Sequence, residues 1–321
     1  MRRMRLFRPR LPRVAALLAV VAAVANDTPA LPAVLDDRQL VESRESLYNN
    51  IYIYSSGPYL TLTFGYNDRL YTESRYNTKD PGELPLVYTQ YMTAALIYPS
   101  NIKSVLEIGF GGGRTSWYLH RALPDVPVTS VELDPAIVEM AKKYFGIKEE
   151  PDFTVANADG RVFLMHSAAH YDVILIDAYR APFVPFHLLT REFYQMVADH
   201  LSPGGVVAQN VNPDSMLFDS SVKTIHAVFP QVEFYPAKNN IITIAYGGNR
   251  RSKDDLVRAA AERQSRFHLR YNLGDLLKAR QLLPPGTSFV DPDAKVLTDD
   301  FAPVEALMAI ERHNRKWPNA K

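Results

Sequence analysis

Four acids in this chain stand where a carboxylate is costly to bury unless something is bound to it. Glu107 lies inside the short apolar run 105–108, Glu132 near the end of 126–133, and Asp159 and Asp177 directly after 153–158 and 171–176. Between the first two runs sits Gly109-Phe110-Gly111-Gly112-Gly113-Arg114. Glycine reaches positive φ and carries no Cβ, so a ligand can lie against the backbone of such a turn where a helix begins. An ionised carboxylate only accepts hydrogen bonds, which suits Glu132 to the two hydroxyls of a ribose. Asp159, followed by Gly160, suits the exocyclic amine of adenine. Together these residues predict a nucleoside site, with Asp177 closing the fourth run on the same edge.

The glycine turn separates two classes of nucleoside. A dinucleotide turn reads Gly-x-Gly-x-x-Gly. Here Gly109-x-Gly111-x-Gly113 stands behind Glu107 and is followed by Arg114-Thr115-Ser116. That pattern fits a sulfonium nucleoside, S-adenosylmethionine, better. Glu107 there resembles the acid of the S-adenosylmethionine methyltransferase motif, which implies that it orders the turn or meets the methionine amino group. No metal is expected. The chain has no cysteine, and His166 and His170, spaced i,i+4, lack the glutamate of a metalloprotease helix.

These residues need a scaffold, and the pattern around them supplies one. The four runs are short and almost continuously apolar, as strands buried on both faces are. Amphipathic stretches at 117–123, 136–145, 160–168, 190–200 and 215–229 read as the intervening helices. With further strands at 206–211, 232–235 and 241–245, residues 87–250 predict a seven-stranded Rossmann-like α/β sheet, the S-adenosylmethionine-dependent transferase type. Residues 45–86 are aromatic and β-branched between Ser-Ser-Gly-Pro and Gly-Tyr-Asn-Asp breaks. They read as a small antiparallel β-meander whose last strand ends at Thr72, with a loop over 73–86. Residues 26–44 read as a linker leading into a short helix. Residues 251–321 read as C-terminal helices, at 253–263 and 273–282, and a tail.

The 321 residues are 47% hydrophobic and 22% charged, enough for a sizeable core. A net charge of +1 gives no electrostatic case for nucleic acid. Residues 1–25 hold six arginines and then the apolar run 14–25, ending in Ala23-Val24-Ala25. That run is too short for a membrane span, which needs about 20 residues, so it reads as a signal peptide or anchor. Export or membrane association is therefore expected, to the periplasm if the source is bacterial. A misassigned start would instead leave a cytoplasmic protein.

The residues taken together resemble the spermidine synthases, the polyamine aminopropyltransferases, over roughly residues 45–246. The likeness rests on Glu45-Ser46-Leu47-Tyr48-Asn49-Asn50-Ile51, the glycine turn, Val131-Glu132-Leu133-Asp134, Ala158-Asp159-Gly160-Arg161 and Tyr171-Asp172-Val173-Ile174-Leu175-Ile176-Asp177. Phe193-Tyr194 and Gly204-Gly205-Val206-Val207-Ala208-Gln209 continue it. Bacterial spermidine-synthase-like proteins also share Pro185-x-His187-Leu188-x-Thr190 and the Leu297-Thr298-Asp299-Asp300 tail. The resemblance implies transfer of an aminopropyl group from decarboxylated S-adenosylmethionine to a small amine acceptor. It also implies Glu132 on the ribose, Asp159 on the adenine, Tyr88 and Gln90 on the acceptor side, and pairing as a homodimer.

The chain departs from that family at the reacting end. Gly112 stands where the family's turn has the aspartate for the aminopropyl ammonium. Asp177 is kept, but Arg180 replaces the second acid, which takes the proton of the attacking amine. An alkylammonium has a pKa near 10.4 and attacks only after losing a proton. An Arg at about 4 Å repels it by roughly 4 kcal/mol at an effective dielectric near 20. Tyr179 and His187, in the loop after 171–176, and Asp299, Asp300 and Glu305 from the tail are the candidates to compensate. Two other functions stay open: an S-adenosylmethionine-dependent methyltransferase, to which Glu107 is suited, and a non-catalytic nucleoside-binding module.

Overall fold

The computed structural model describes residues 37–66, 69–180, 183–282, 291 and 293–300. The leader at 1–25 and Glu305 lie outside them. Among the described residues, no helix is long and apolar enough to cross a membrane.

The chain opens with β1 (Gln39–Glu45), β2 (Asn50–Ser56), β3 (Tyr59–Tyr66) and β4 (Arg69–Asn77), hydrogen-bonded in that order as an antiparallel sheet. Period-2 alternation makes this sheet: Ile51, Ile53, Leu62 and Phe64 are buried, while Tyr52 and Tyr54 between them are half-buried. The expected meander is therefore present with one strand more, since Gln39–Glu45 is a strand and not the linker and helix expected. Its charged, polar sequence is that of an edge strand. The last strand also runs past Thr72. Leu62 pairs with Ser74 and Thr63 with Thr72, which leaves Glu73 as the extra residue of a β-bulge.

The α/β part follows: α1 (Val87–Met92), β5 (Val105–Ile108), α2 (Arg114–Ala122), β6 (Val128–Glu132), α3 (Pro135–Tyr144), β7 (Phe153–Asn157), α4 (Gly160–His166), β8 (Tyr171–Ile176), α5 (Arg191–Asp199), β9 (Leu201–Val211), α6 (Phe218–Val228), β10 (Gln231–Ala237), β11 (Asn240–Tyr246), α7 (Lys253–Phe267), α8 (Leu273–Leu277) and β12 (Gln281–Leu282). The strands lie in the order β12-β10-β11-β9-β8-β5-β6-β7, with β5 to β9 parallel and the β11, β10 and β12 side antiparallel.

The sheet thus has eight strands where seven were expected. The eighth is the two-residue β12, in a segment expected to continue a helix to residue 282. The Arg280 guanidinium bonds both oxygens of the fully buried Glu233, at 2.5 and 2.7 Å, and so holds the segment against the β10 edge. Alternation along β5 sends Val105 into the apolar cluster with α2, α7 and the small sheet. Leu106 and Ile108 go into the opposite cluster with α5 and α6.

Candidate active site

The strand order turns at β5, with β6 and β7 on one side and β8 and β9 on the other. Open α/β sheets bind ligands beyond the carboxyl ends at such a point. A cavity of about 770 Å³ opens there, walled by the tips of β5, β6 and β8, by β4, and by residues 183–188. Gly109 makes the crevice possible. Its φ is +93°, and a Cβ there would lie 2.5 Å from the backbone of Asp177 and Ala178. Only glycine lets the turn pass so close to the end of β8.

At one end of the wall two acids, Glu132 and Asp159, keep free acceptor positions beside the glycine turn. Glu132 accepts from the backbone N–H groups of Phe110 and Gly111 on Oε2, both at 3.1 Å, and of Asp134 on Oε1 at 3.0 Å. Burial raises its pKa, and these three bonds oppose the rise. A carboxylate has about four acceptor sites, so one remains, on Oε1. Asp159 caps α4, with Oδ1 accepting from Arg161 and Val162 N–H at 2.9 and 3.0 Å. Its Oδ2 lies 2.7 Å from His187 Nε2. That contact, first among the causes, holds the Asp159 carboxyl below the ordinary value. Here too about one acceptor site is left.

At the centre, Asp177 follows β8 with burial pushing its pKa up to about 7. Asn210 Nδ2 donates to its Oδ1 at 2.8 Å, and this bond and one from Tyr88 work against the rise. The Tyr88 hydroxyl also lies 3.3 Å from the Glu73 carbonyl oxygen. Tyr179 donates to the Asn210 carbonyl at 3.1 Å. Arg180 lines the cavity, and its Nε donates to the Tyr48 carbonyl at 3.2 Å. Tyr66 and Phe183, both on the cavity wall, meet edge-on with ring centres 5.8 Å apart.

The structure therefore gathers Tyr88, Gly109, Gly111, Glu132, Asp159, Gly160, Asp177, Tyr179, Arg180 and His187 around one cavity. It does not bring Glu107, Gly113, Gln90, Asp299 or Asp300 to that wall. Glu107 lies on the Val105 face of β5, where Ser130 Oγ donates to it at 3.2 Å and burial raises its pKa to about 8. Gly113 is the left-handed N-cap of α2, with φ +67°. Gln90 donates to the Leu84 carbonyl at 2.7 Å. Asp299 instead grips Arg161, at 2.7 Å from Nη1 and 2.5 Å from Nη2, while Asp300 is exposed. His120, Glu150 and Asp152, a set with metal-ligand spacing, are likewise not part of the cavity wall.

Among the wall residues that the sequence did not point to are Ser74 and Glu73. Ser74 Oγ accepts from the Gly112 N–H at 2.9 Å, tying the small sheet to the glycine turn. Glu73, beside it, is a half-buried acid on the wall whose pKa is raised well above the ordinary value. Burial is the main cause, followed by the charges of Asp177 and Glu132. A single sequence carries no signal for the bulge that turns it inward.

Residues 86–245 match the model of the spermine/spermidine synthase domain. The polyamine aminopropyltransferase of Vibrio vulnificus is 26% identical over 289 residues, 86% of this chain and 94% of that one. A spermidine synthase solved with the transition-state analogue AdoDATO superposes with a TM-score of 0.61 at 25% identity, over 75% of this chain and 84% of its own. A Drosophila melanogaster homolog of the eEF1A lysine and N-terminal methyltransferase is 32% identical over 157 residues, 46% of this chain but 23% of its own.

Proposed function

Because this chain belongs to the spermidine synthase family, we propose that it moves the aminopropyl group of decarboxylated S-adenosylmethionine onto a small amine. One observation carries the reading. Among the described residues, the cavity wall holds five acids, Glu73, Glu132, Asp134, Asp159 and Asp177, against a single Arg, Arg180. The donor carries a sulfonium and an ammonium, and the acceptor arrives as an ammonium. One carboxylate at about 4 Å from such a charge contributes about 4 kcal/mol at an effective dielectric near 20.

In this reading the free acceptor site on Glu132 Oε1 takes one ribose hydroxyl, and the one left on Asp159 takes the adenine amine. Asp177 and Tyr88 face the aminopropyl chain. The acceptor nitrogen attacks the carbon bonded to sulfur, the C–S bond breaks, and its electron pair stays on sulfur. The products are methylthioadenosine and the aminopropylated amine. The protein's share is to align the two groups and to keep opposite charge around them.

A methyltransferase on the same fold is the second reading, favoured by the likeness to the eEF1A methyltransferase homolog. Glu107 weakens it, since that carboxyl does not line the cavity where a methionine amino group would meet it. Incubation with decarboxylated and intact S-adenosylmethionine in separate tubes, with a polyamine panel, decides between them. Methylthioadenosine from the first donor supports aminopropyl transfer, and S-adenosylhomocysteine from the second supports methyl transfer. Nucleoside binding without either product leaves a binding module.

Two proposals concern the whole chain. The N-terminal 1–25 segment exports or anchors the protein, which cell fractionation tests. Two copies pair, which light scattering tests.

A further inference from the structure

In strand geometry, consecutive side chains leave on opposite faces of a sheet. Glu73 and Ser74 break that rule, because both line the cavity. The bulge is the reason: Ser74 keeps its partner, Leu62, while Glu73 has none on β3. Bulges recur beside active sites because they re-aim a side chain. Among the described residues, the Glu73 carboxylate has no hydrogen bond and no ion pair, although acids, Asp177 and Glu132, are its charged neighbours. A carboxylate held half-buried, without a cation, beside two others is a poor arrangement for stability alone. It is a good one for receiving a cation or a proton.

We propose that Glu73 binds the acceptor amine and takes its proton, the task left open where Arg180 stands in place of an acid. The proposal rests on the aminopropyl-transfer reading. The acceptor enters as an ammonium, and one N–H proton passes to a Glu73 carboxylate oxygen. The freed lone pair then attacks the carbon on sulfur, and the C–S electrons leave with methylthioadenosine. The product nitrogen departs as a secondary ammonium, and Glu73 returns its proton to solvent. Besides Asp177 and Glu132, the titratable groups facing Glu73 are Tyr88 and Tyr179. Both phenols are pushed to higher pKa by burial and by the acids around them, so neither competes for the proton at neutral pH. The position of Glu73 at the strand bulge, beside the tyrosine that bonds its own backbone, fixes where the acceptor nitrogen must sit.

The test compares wild type, Glu73→Gln and Glu73→Asp for methylthioadenosine formation across pH and for methylthioadenosine binding by calorimetry. A general base contributes about 10²–10⁴-fold. Glu73→Gln is expected to lose at least about 100-fold in rate, to lose the acidic limb of the pH profile, and to bind methylthioadenosine within about twofold of wild type. Glu73→Asp recovers part of the rate and the limb. A Glu73→Gln enzyme with wild-type rate and an unchanged acidic limb overturns the proposal while leaving the transfer reading intact. A wild-type protein that binds methylthioadenosine yet forms none from any amine overturns the transfer reading, and this proposal with it.

Discussion

Asn210 Nδ2 donates to Asp177 Oδ1 at 2.8 Å, and the bond opposes the burial that pushes the Asp177 carboxyl up to about 7. Asn210 is in turn held by Asn240, whose Nδ2 donates to its Oδ1 at 2.8 Å. The acid at the tip of β8 is thus tuned by side chains from β9 and β11. Asn210→Ala removes the opposing bond, so the Asp177 pKa rises further. The expected result is that the pH below which the donor KM rises moves upward by about one unit, while the acidic limb set by Glu73 stays in place. A pH–rate profile of the variant checks it.

A carboxyl whose folded pKa lies above its unfolded value keeps its full stability contribution at low pH. It loses that contribution as pH rises through the folded value. For Asp177 the window runs from about 4, the unfolded value, to about 7. Asp177→Asn should therefore be more stable than wild type at pH 8, by about 1–3 kcal/mol, with little gain at pH 4. Urea unfolding at the two pH values reads the difference, and activity should fall in the same variant.

Asp159 has the opposite sign. Its folded pKa is lowered, first by the bond to His187, so its contribution is present at neutral pH and lost as pH falls through the folded value. His187→Ala should cost about 1 kcal/mol at pH 7 and less at pH 3. Methylthioadenosine affinity should hold within about tenfold, because the Asp159 oxygen proposed to meet the adenine amine is freed. Asp159→Ala should lose about 1–3 kcal/mol of that affinity, read by calorimetry.

Arg280 and Glu233 form a buried pair, and removing Arg280 leaves the Glu233 charge without a counter-ion among the described residues, held only by the hydroxyls of Tyr98 and Tyr246. Arg280→Ala should cost about 3–5 kcal/mol in urea unfolding. Methylthioadenosine binding should persist wherever the fold does, since neither residue lines the cavity. Asp299→Ala, by contrast, breaks a partly exposed pair with Arg161 and should cost about 0.2–1 kcal/mol. The amine KM should stay within about twofold, which would not hold if Asp299 bound the acceptor.

Much of the site was legible because a buried parallel strand announces itself and its tip is a fixed place. Glu132, Asp159 and Asp177 follow from that alone, and Gly109 from the close pass of Asp177 and Ala178. The unread parts depend on geometry that no pattern carries. Period-2 alternation puts Glu107 on the Val105 face, where Ser130 satisfies it, although its position suited a ligand equally well. Asp299 looked available until the fold brought Arg161 to it. The strand Gln39–Glu45 is too polar to stand out from a linker, and β12 is two residues docked by Arg280. Glu73 was hidden by a strand end placed at Thr72, five residues short of Asn77, since a bulge interrupts the alternation by which strands are recognised.

The most direct measurement puts the purified protein with both donors, decarboxylated and intact S-adenosylmethionine, and one polyamine in a single tube. The mass of the amine is then followed. The amine is expected to gain an aminopropyl group, with methylthioadenosine released in equal amount. A gain of a methyl group, with S-adenosylhomocysteine released instead, would contradict that expectation.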